Sequence, residues 1–155
     1  MYQRMLVAVD GSETSEVALD HALQLAREQR AQVRVVHVVE TLKYLTVSSA
    51  GGYPFDPAPL IEALRDEARE ILARAAAKAR DAGVVAEVEM LEDLQAPGRV
   101  AAIVVQEAAR CNADLVVLGT HGRRGFDRLL LGSVAEALIR IAQTPVLLVR
   151  AKPTH

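Results

Sequence analysis

Five short apolar runs, separated by segments of helical period, constrain this chain more than any other feature. The first, Met5-Leu6-Val7-Ala8-Val9, stops at Asp10-Gly11-Ser12. The others are Val33 to Val39, an alternating Val84 to Leu91, Leu115 to Leu118, and Val146 to Val149. A short continuous apolar run bounded by turn residues is the mark of a strand buried on both faces. Between the runs, apolar residues recur every three or four positions. Val17, Ala18, Ala22, Leu25 and Ala26 do so, as do Leu60, Ile61, Leu64, Ala68, Ile71, Leu72, Ala75 and Ala79. Ser12 or Thr14 is placed to cap the first helix, and Gly83 to end the long one. Val100 to Ala109 and Ser133 to Ala142 complete the helices. The order βαβαβαβαβ predicts a parallel sheet with helices on both faces and right-handed crossovers.

The 155 residues fit one domain, 1–155, with no internal repeat or linker. Aromatics are 3% and there is no Trp, so the core must be aliphatic. The same scarcity argues against stacking platforms for single-stranded nucleic acid. The net charge of −2 offers no general attraction to nucleic acid or to anionic membranes. Cys111 is the single cysteine, which excludes an internal disulfide. It precedes Asn112 at a helix end, which suits a structural role. No apolar run reaches membrane-spanning length, and a reducing, cytoplasmic compartment is expected.

The chemistry concentrates after the fourth apolar run. Gly119-Thr120-His121-Gly122 is followed, nine residues later, by Gly132-Ser133 at a helix start. Glycines allow a backbone to approach an anion closely. The N–H groups and positive dipole end of a helix N-terminus then attract it. The spacing is neither a P-loop nor G-x-G-x-x-G. If strands one and four are neighbours, Asp10-Gly11-Ser12 meets this glycine loop at a topological switch point, where open α/β sheets bind ligands. The Asp10 carboxylate then suits a ribose hydroxyl or a divalent cation.

Each residue also has a plainer role. Asp10 can hold an Asx-turn with Gly11. Gly119, Gly122 and Gly132 can be turn glycines, and Ser133 an N-cap. Arg123 and Arg124 can pair with phosphate or lie solvated; His121 can touch phosphate or simply occupy the loop. His37, inside an apolar strand, reads as a satisfied core or rim histidine. The segment 41–59 carries Gly51, Gly52, Pro54, Pro57 and Pro59, and is expected to be a mobile loop at the ligand-binding edge.

Taken together these residues resemble the universal stress protein family, in its ATP-binding branch. The family motif G-x2-G-x9-G-(S/T) is matched without a gap by Gly119, Gly122, Gly132 and Ser133. The strings MLVAVDGSETSEVAL, VVHVV and TPVLLVR are also very like the family. The resemblance spans nearly the whole chain outside 41–59. It implies a single-domain Rossmann-like open sheet of order 3-2-1-4-5. It implies that Ala8, Val9 and Asp10 help hold adenosine, with the main chain of Val38. Gly119, Gly122, Gly132, Ser133 and Val134 would surround ribose and phosphates, with Mg²⁺ or Mn²⁺ alongside; on the residue reading above, His121 and Arg123 join them as binding candidates and Asp10 as the candidate metal ligand. Ala8 stands where some relatives carry proline.

The expected function is therefore ATP binding by a nucleotide-responsive regulatory or stress-resistance protein. The rivals are a nucleotide-independent dimeric interaction module and a slow ATPase. The site has no lysine and no evident general base beyond Asp10 and His121. A flavodoxin-like carrier fits less well, because DGSETS is no flavin-phosphate cradle. Strand five, wholly apolar from Val146 to Val149, would lie at the sheet edge. Pairing of 145–150 with a second copy in a homodimer would cover it.

Overall fold

The computed structural model describes residues 1–43, 56–121 and 131–151. The main elements among these residues follow one another as β1 (Arg4–Ala8), α1 (Glu13–Gln29), β2 (Gln32–Val39), α2 (Ala58–Asp81), β3 (Ala86–Glu92), α3 (Val100–Arg110), β4 (Leu115–Gly119), α4 (Ser133–Ile141) and β5 (Val146–Val149). The five strands form one sheet of order β3-β2-β1-β4-β5. Every pairing is parallel.

Alternation along the strands splits the core into two layers. Met5, Val7 and Val9 of the β1 region, with Val33 and Val35 of β2, face α1 and α2. Leu6, Val36, Val116 and Leu118 face α3 and α4. The helices answer with small residues. Ala18, Ala22 and Ala26 of α1 and Ala68, Ala75 and Ala79 of α2 are at most 1% exposed. An alanine stripe lets a helix lie close on a sheet of branched side chains, which is how an almost aromatic-free chain fills its interior.

The helix ends are chemically specified. The Ser12 side chain accepts from the Ser15 N–H and caps α1, with Glu13 and Glu16 in the first turn. Gly83, at φ +68°, closes α2 in a left-handed turn in which Val84 N–H bonds the Ala79 carbonyl. That turn consumes Val84, so β3 begins at Ala86 and not at Val84 as the apolar pattern predicts. Of the segment expected as a loop over 41–59, Thr41 to Lys43 is helical and α2 includes Ala58 and Pro59; 44–55 lies outside the described residues.

A charged network lies on the sheet's β3 side. Arg34 of β2 contacts Glu87 and Glu89 of β3 and Glu107 of α3, and Arg110 completes the network. Burial alone would raise the Glu107 carboxyl, but hydrogen bonds from Arg110 and Arg34 hold it below the usual glutamate range.

Candidate functional site

β1 and β4 are neighbours, and the chain leaves them in opposite directions. The turn after β1 leads into α1, on one face of the sheet; the connection after β4 leads into α4, on the other. Where they part, above the carboxyl ends of the central strands, lies the topological switch point, the crevice position of open α/β sheets.

On the β1 side the DGS turn is tightly self-bonded. The Asp10 carboxylate accepts from the Ser12 N–H at 3.0 Å and from the Ser12 hydroxyl at 2.6 Å. The Asp10 N–H donates to Ser15 Oγ at 3.3 Å, and Ser15 Oγ donates to the Ser12 carbonyl at 2.9 Å. Gly11 sits at φ +79°, where a side chain would be strained. The Asx-turn role of Asp10 is therefore real. One carboxylate holds the turn and, through Ser12, the start of α1.

On the β4 side, Thr120 N–H bonds the Val149 carbonyl, and Gly132 N–H bonds the Thr120 carbonyl at 2.7 Å. The start of α4 is thus pinned beside the end of β4. Gly132, not Ser133, is the N-cap; Ser133 is the first helical residue and is exposed. Gly132 has no side chain to offer, so no side-chain cap bond closes this N-terminus. His121 Nδ1 pairs with Thr120 Oγ1 at 2.8 Å. Its Nε2 is buried with no hydrogen-bond partner among the described residues. A buried ring nitrogen without a partner is costly, and it fits a ligand oxygen arriving there.

Gly119 has a role that its motif does not suggest. A Cβ there would lie 2.7 Å from Thr14 Cγ2 and 3.0 Å from the Thr14 carbonyl carbon and oxygen. The missing side chain lets the first turn of α1 rest against β4. It brings the two halves of the crevice together before any ligand arrives.

Of the sequence-predicted residues, the fold gathers Ala8, Val9, Asp10, Val38, Gly119, His121, Gly132, Ser133 and Val134 around the ends of β1, β2 and β4. Gly122, Arg123 and Arg124 lie outside the described residues. His37, which the pattern assigns to the core, is indeed buried, and its Nδ1 donates to the Val9 carbonyl at 2.8 Å. It therefore touches the site's own backbone. The only signal in the sequence was a polar residue in an otherwise apolar run.

A cavity of about 360 Å³ opens elsewhere, between the end of β3 and α3. Most of its charged lining is already paired: Glu92 with Arg65, and Glu107 with Arg34 and Arg110. It lies at the β3 edge of the sheet and not at the β1/β4 switch point, and size alone does not make it the site. Among the described residues no cluster of three His, Cys, Asp or Glu side chains could hold a metal ion. No described helix is long and apolar enough to cross a membrane.

Comparison with known proteins agrees with this fold. The family model "Universal stress protein family" matches residues 1–150. The universal stress protein YxiE of Bacillus subtilis is 36% identical over 154 residues, covering 97% of this chain and 100% of its own length. Universal stress protein MJ0531 of Methanocaldococcus jannaschii is 35% identical, covering 97% and 83%. Among solved structures, MJ0577 superposes with a TM-score of 0.81 at 25% identity and 99% coverage of both chains. The Archaeoglobus fulgidus universal stress protein in complex with dAMP gives 0.66 at 28% identity, covering 96% and 98%. A universal stress protein in complex with cAMP gives 0.66 at 27% identity, covering 96% and 97%.

Proposed function

The chain belongs to the universal stress protein family, and from that premise we propose that it binds ATP in the β1/β4 crevice and acts as a nucleotide-responsive regulator. The observation that carries this reading is the convergence of two complementary features at one switch point. α4 begins without a side-chain cap beside the end of β4, and the Asp10 turn leads into the first turn of α1, which rests on Gly119 at that same strand end. The first is a phosphate site by its donors and dipole. The second offers a carboxylate for ribose hydroxyls. The relatives solved with dAMP and cAMP support an adenine nucleotide as the ligand class.

In this assignment the Val38 main chain meets the base, and Ala8, Val9 and Asp10 line the ribose. The N–H groups of Ser133 and Val134 hold phosphate oxygens, with Gly119, His121, Gly122, Arg123 and Gly132 completing the loop. The buried, unpartnered Nε2 of His121 fits a phosphate oxygen. A Mg²⁺ or Mn²⁺ ion would be held chiefly by the phosphates, with Asp10 as its protein ligand. The crevice suits binding better than turnover, because the glycine motif carries no lysine.

The assembly we propose is a homodimer through β5. Val146, Leu147 and Leu148 remain half-exposed on an edge strand paired only with β4. Leu148→Lys should give monomer or insoluble protein by light scattering; a monomeric wild type contradicts the pairing.

Calorimetric titration tests the nucleotide reading. ATP should bind the wild type, and Asp10→Ala should weaken it by about 1–3 kcal/mol. Absence of binding by ATP, ADP and AMP alike would contradict it.

A further inference from the structure

The β1–β2 ladder ends in an unusual way. Residues of β2 alternate in the direction of their main-chain bonds. The odd ones serve β3, as in Val33 N–H to Val85 O and Asp93 N–H to Val39 O. The even ones serve β1, as in Gln32 N–H to Gln3 O and Val9 N–H to Val36 O. The next rung of a parallel ladder would run from Val38 N–H to the Val9 carbonyl. That rung is not made. The β1–β2 register stops at Ala8↔Val36, and Val9 lies outside the strand. The Val9 carbonyl instead accepts from the imidazole Nδ1 of His37 at 2.8 Å. A carbonyl only accepts, so Nδ1 carries the proton.

We infer that His37 is a positioning residue for the nucleotide base: its imidazole takes the place of one ladder rung, and so keeps the Val38 N–H available to a ligand. His37 is only 7% exposed, and Val9 beside it 4%, so the substitution is made in a dry setting where a donor is needed. The surrounding backbone is fixed on every side. Val9 N–H is held by Val36 O, Val9 O by His37, and Asp10 N–H by Ser15 Oγ. The end of β1 is therefore held against β2 by the Val9 N–H and the His37 imidazole, without the Val38 rung. A Val38 N–H aimed at the gap is a directional donor suited to a ring nitrogen of a heterocyclic base. An apolar residue at position 37 would leave the Val9 carbonyl unsatisfied, and the Val38 N–H is the nearest main-chain donor able to close onto it.

The ligand half of this inference rests on the adenine-nucleotide reading above; the ligand-free half does not. Amide exchange of ¹⁵N-labelled protein, measured for wild type, His37→Leu and His37→Asn, tests both. Without nucleotide, Val38 should exchange much faster than Val36 in the wild type. In His37→Leu it should become protected as the rung closes. His37→Asn, whose side-chain amide can also donate, should behave as the wild type. In titrations with ATP and AMP, His37→Leu should bind both about tenfold more weakly, roughly the loss of one hydrogen bond, and His37→Asn should recover most of that. Val38 protected in the free wild type, or Leu and Asn variants alike in exchange, would overturn the inference. A wild type that shows the exchange pattern yet binds no adenine nucleotide would contradict the functional reading while leaving the His37 rung standing.

Discussion

Gly119→Ala isolates the contact that joins the two halves of the crevice. Gly119 has no positive φ, so backbone strain is not the issue; space is. The added methyl would stand 2.7 Å from Thr14 Cγ2, which can rotate away, and 3.0 Å from the Thr14 carbonyl carbon and oxygen, which cannot. Thr14 lies in the first turn of α1, two residues after the Ser12 cap. Relief requires the start of α1 to lift from β4. Overpacking of this kind costs about 1–3 kcal/mol. For a chain of this size each kcal/mol lowers the melting temperature by about 2–4 °C. Because the lifted turn carries Asp10, nucleotide affinity should fall as well. Urea denaturation should show a lower midpoint with an unchanged slope. Thr14→Ser, which removes Cγ2 alone, should relieve the variant only in part, since the backbone overlap remains. Wild-type stability in Gly119→Ala, or complete rescue by Thr14→Ser, would refute the reasoning.

Other consequences follow from neighbouring contacts. Ser12→Ala removes both the α1 cap and a donor to Asp10, and should cost about 1 kcal/mol by chemical denaturation. Glu107 is held low by Arg110 and Arg34, so its stabilisation is complete above the unfolded glutamate pKa of about 4.3 and is lost as pH falls through the lower folded value. Stability of Glu107→Gln should accordingly be lower at neutral pH and flatter over that acidic window. Burial raises the Cys111 thiol, with Sγ directed to the Ala108 carbonyl, so alkylation at pH 7 should be slower than in the unfolded chain.

The fold was legible because its strands advertise their burial. β1 and β4 sit between neighbours on both sides and are covered on both faces, so only apolar residues suit them. Sheet order is another matter. Periodicity shows strands, not neighbours, and the order 3-2-1-4-5 came from family resemblance. Boundaries slipped where turn chemistry overrode hydrophobicity, as at Val84, whose N–H belongs to the Gly83 turn. The candidate site was legible as a glycine motif beside an aspartate, but roles within it were not. Gly119 reads from its motif as a ribose and phosphate position, and the structure adds that α1 meets β4 there. Ser133 looked like a cap, a position that Gly132 occupies. The pattern places His37 in the core or at its rim, as found, but not its bond to Val9, which is 28 residues away and becomes adjacent only through the β1–β2 register.

The central claim is that an adenine nucleotide lies across the carboxyl ends of β2, β1 and β4. Chemical-shift mapping of ¹⁵N-labelled protein during titration with ATP tests it most directly. The account predicts the largest changes at Val9, Asp10, Val38, Thr120, His121 and Gly132 to Val134, with Ile103 and Glu107 beside the β3–α3 cavity unmoved. Changes concentrated at that cavity, or none at any ATP concentration up to millimolar, would contradict it.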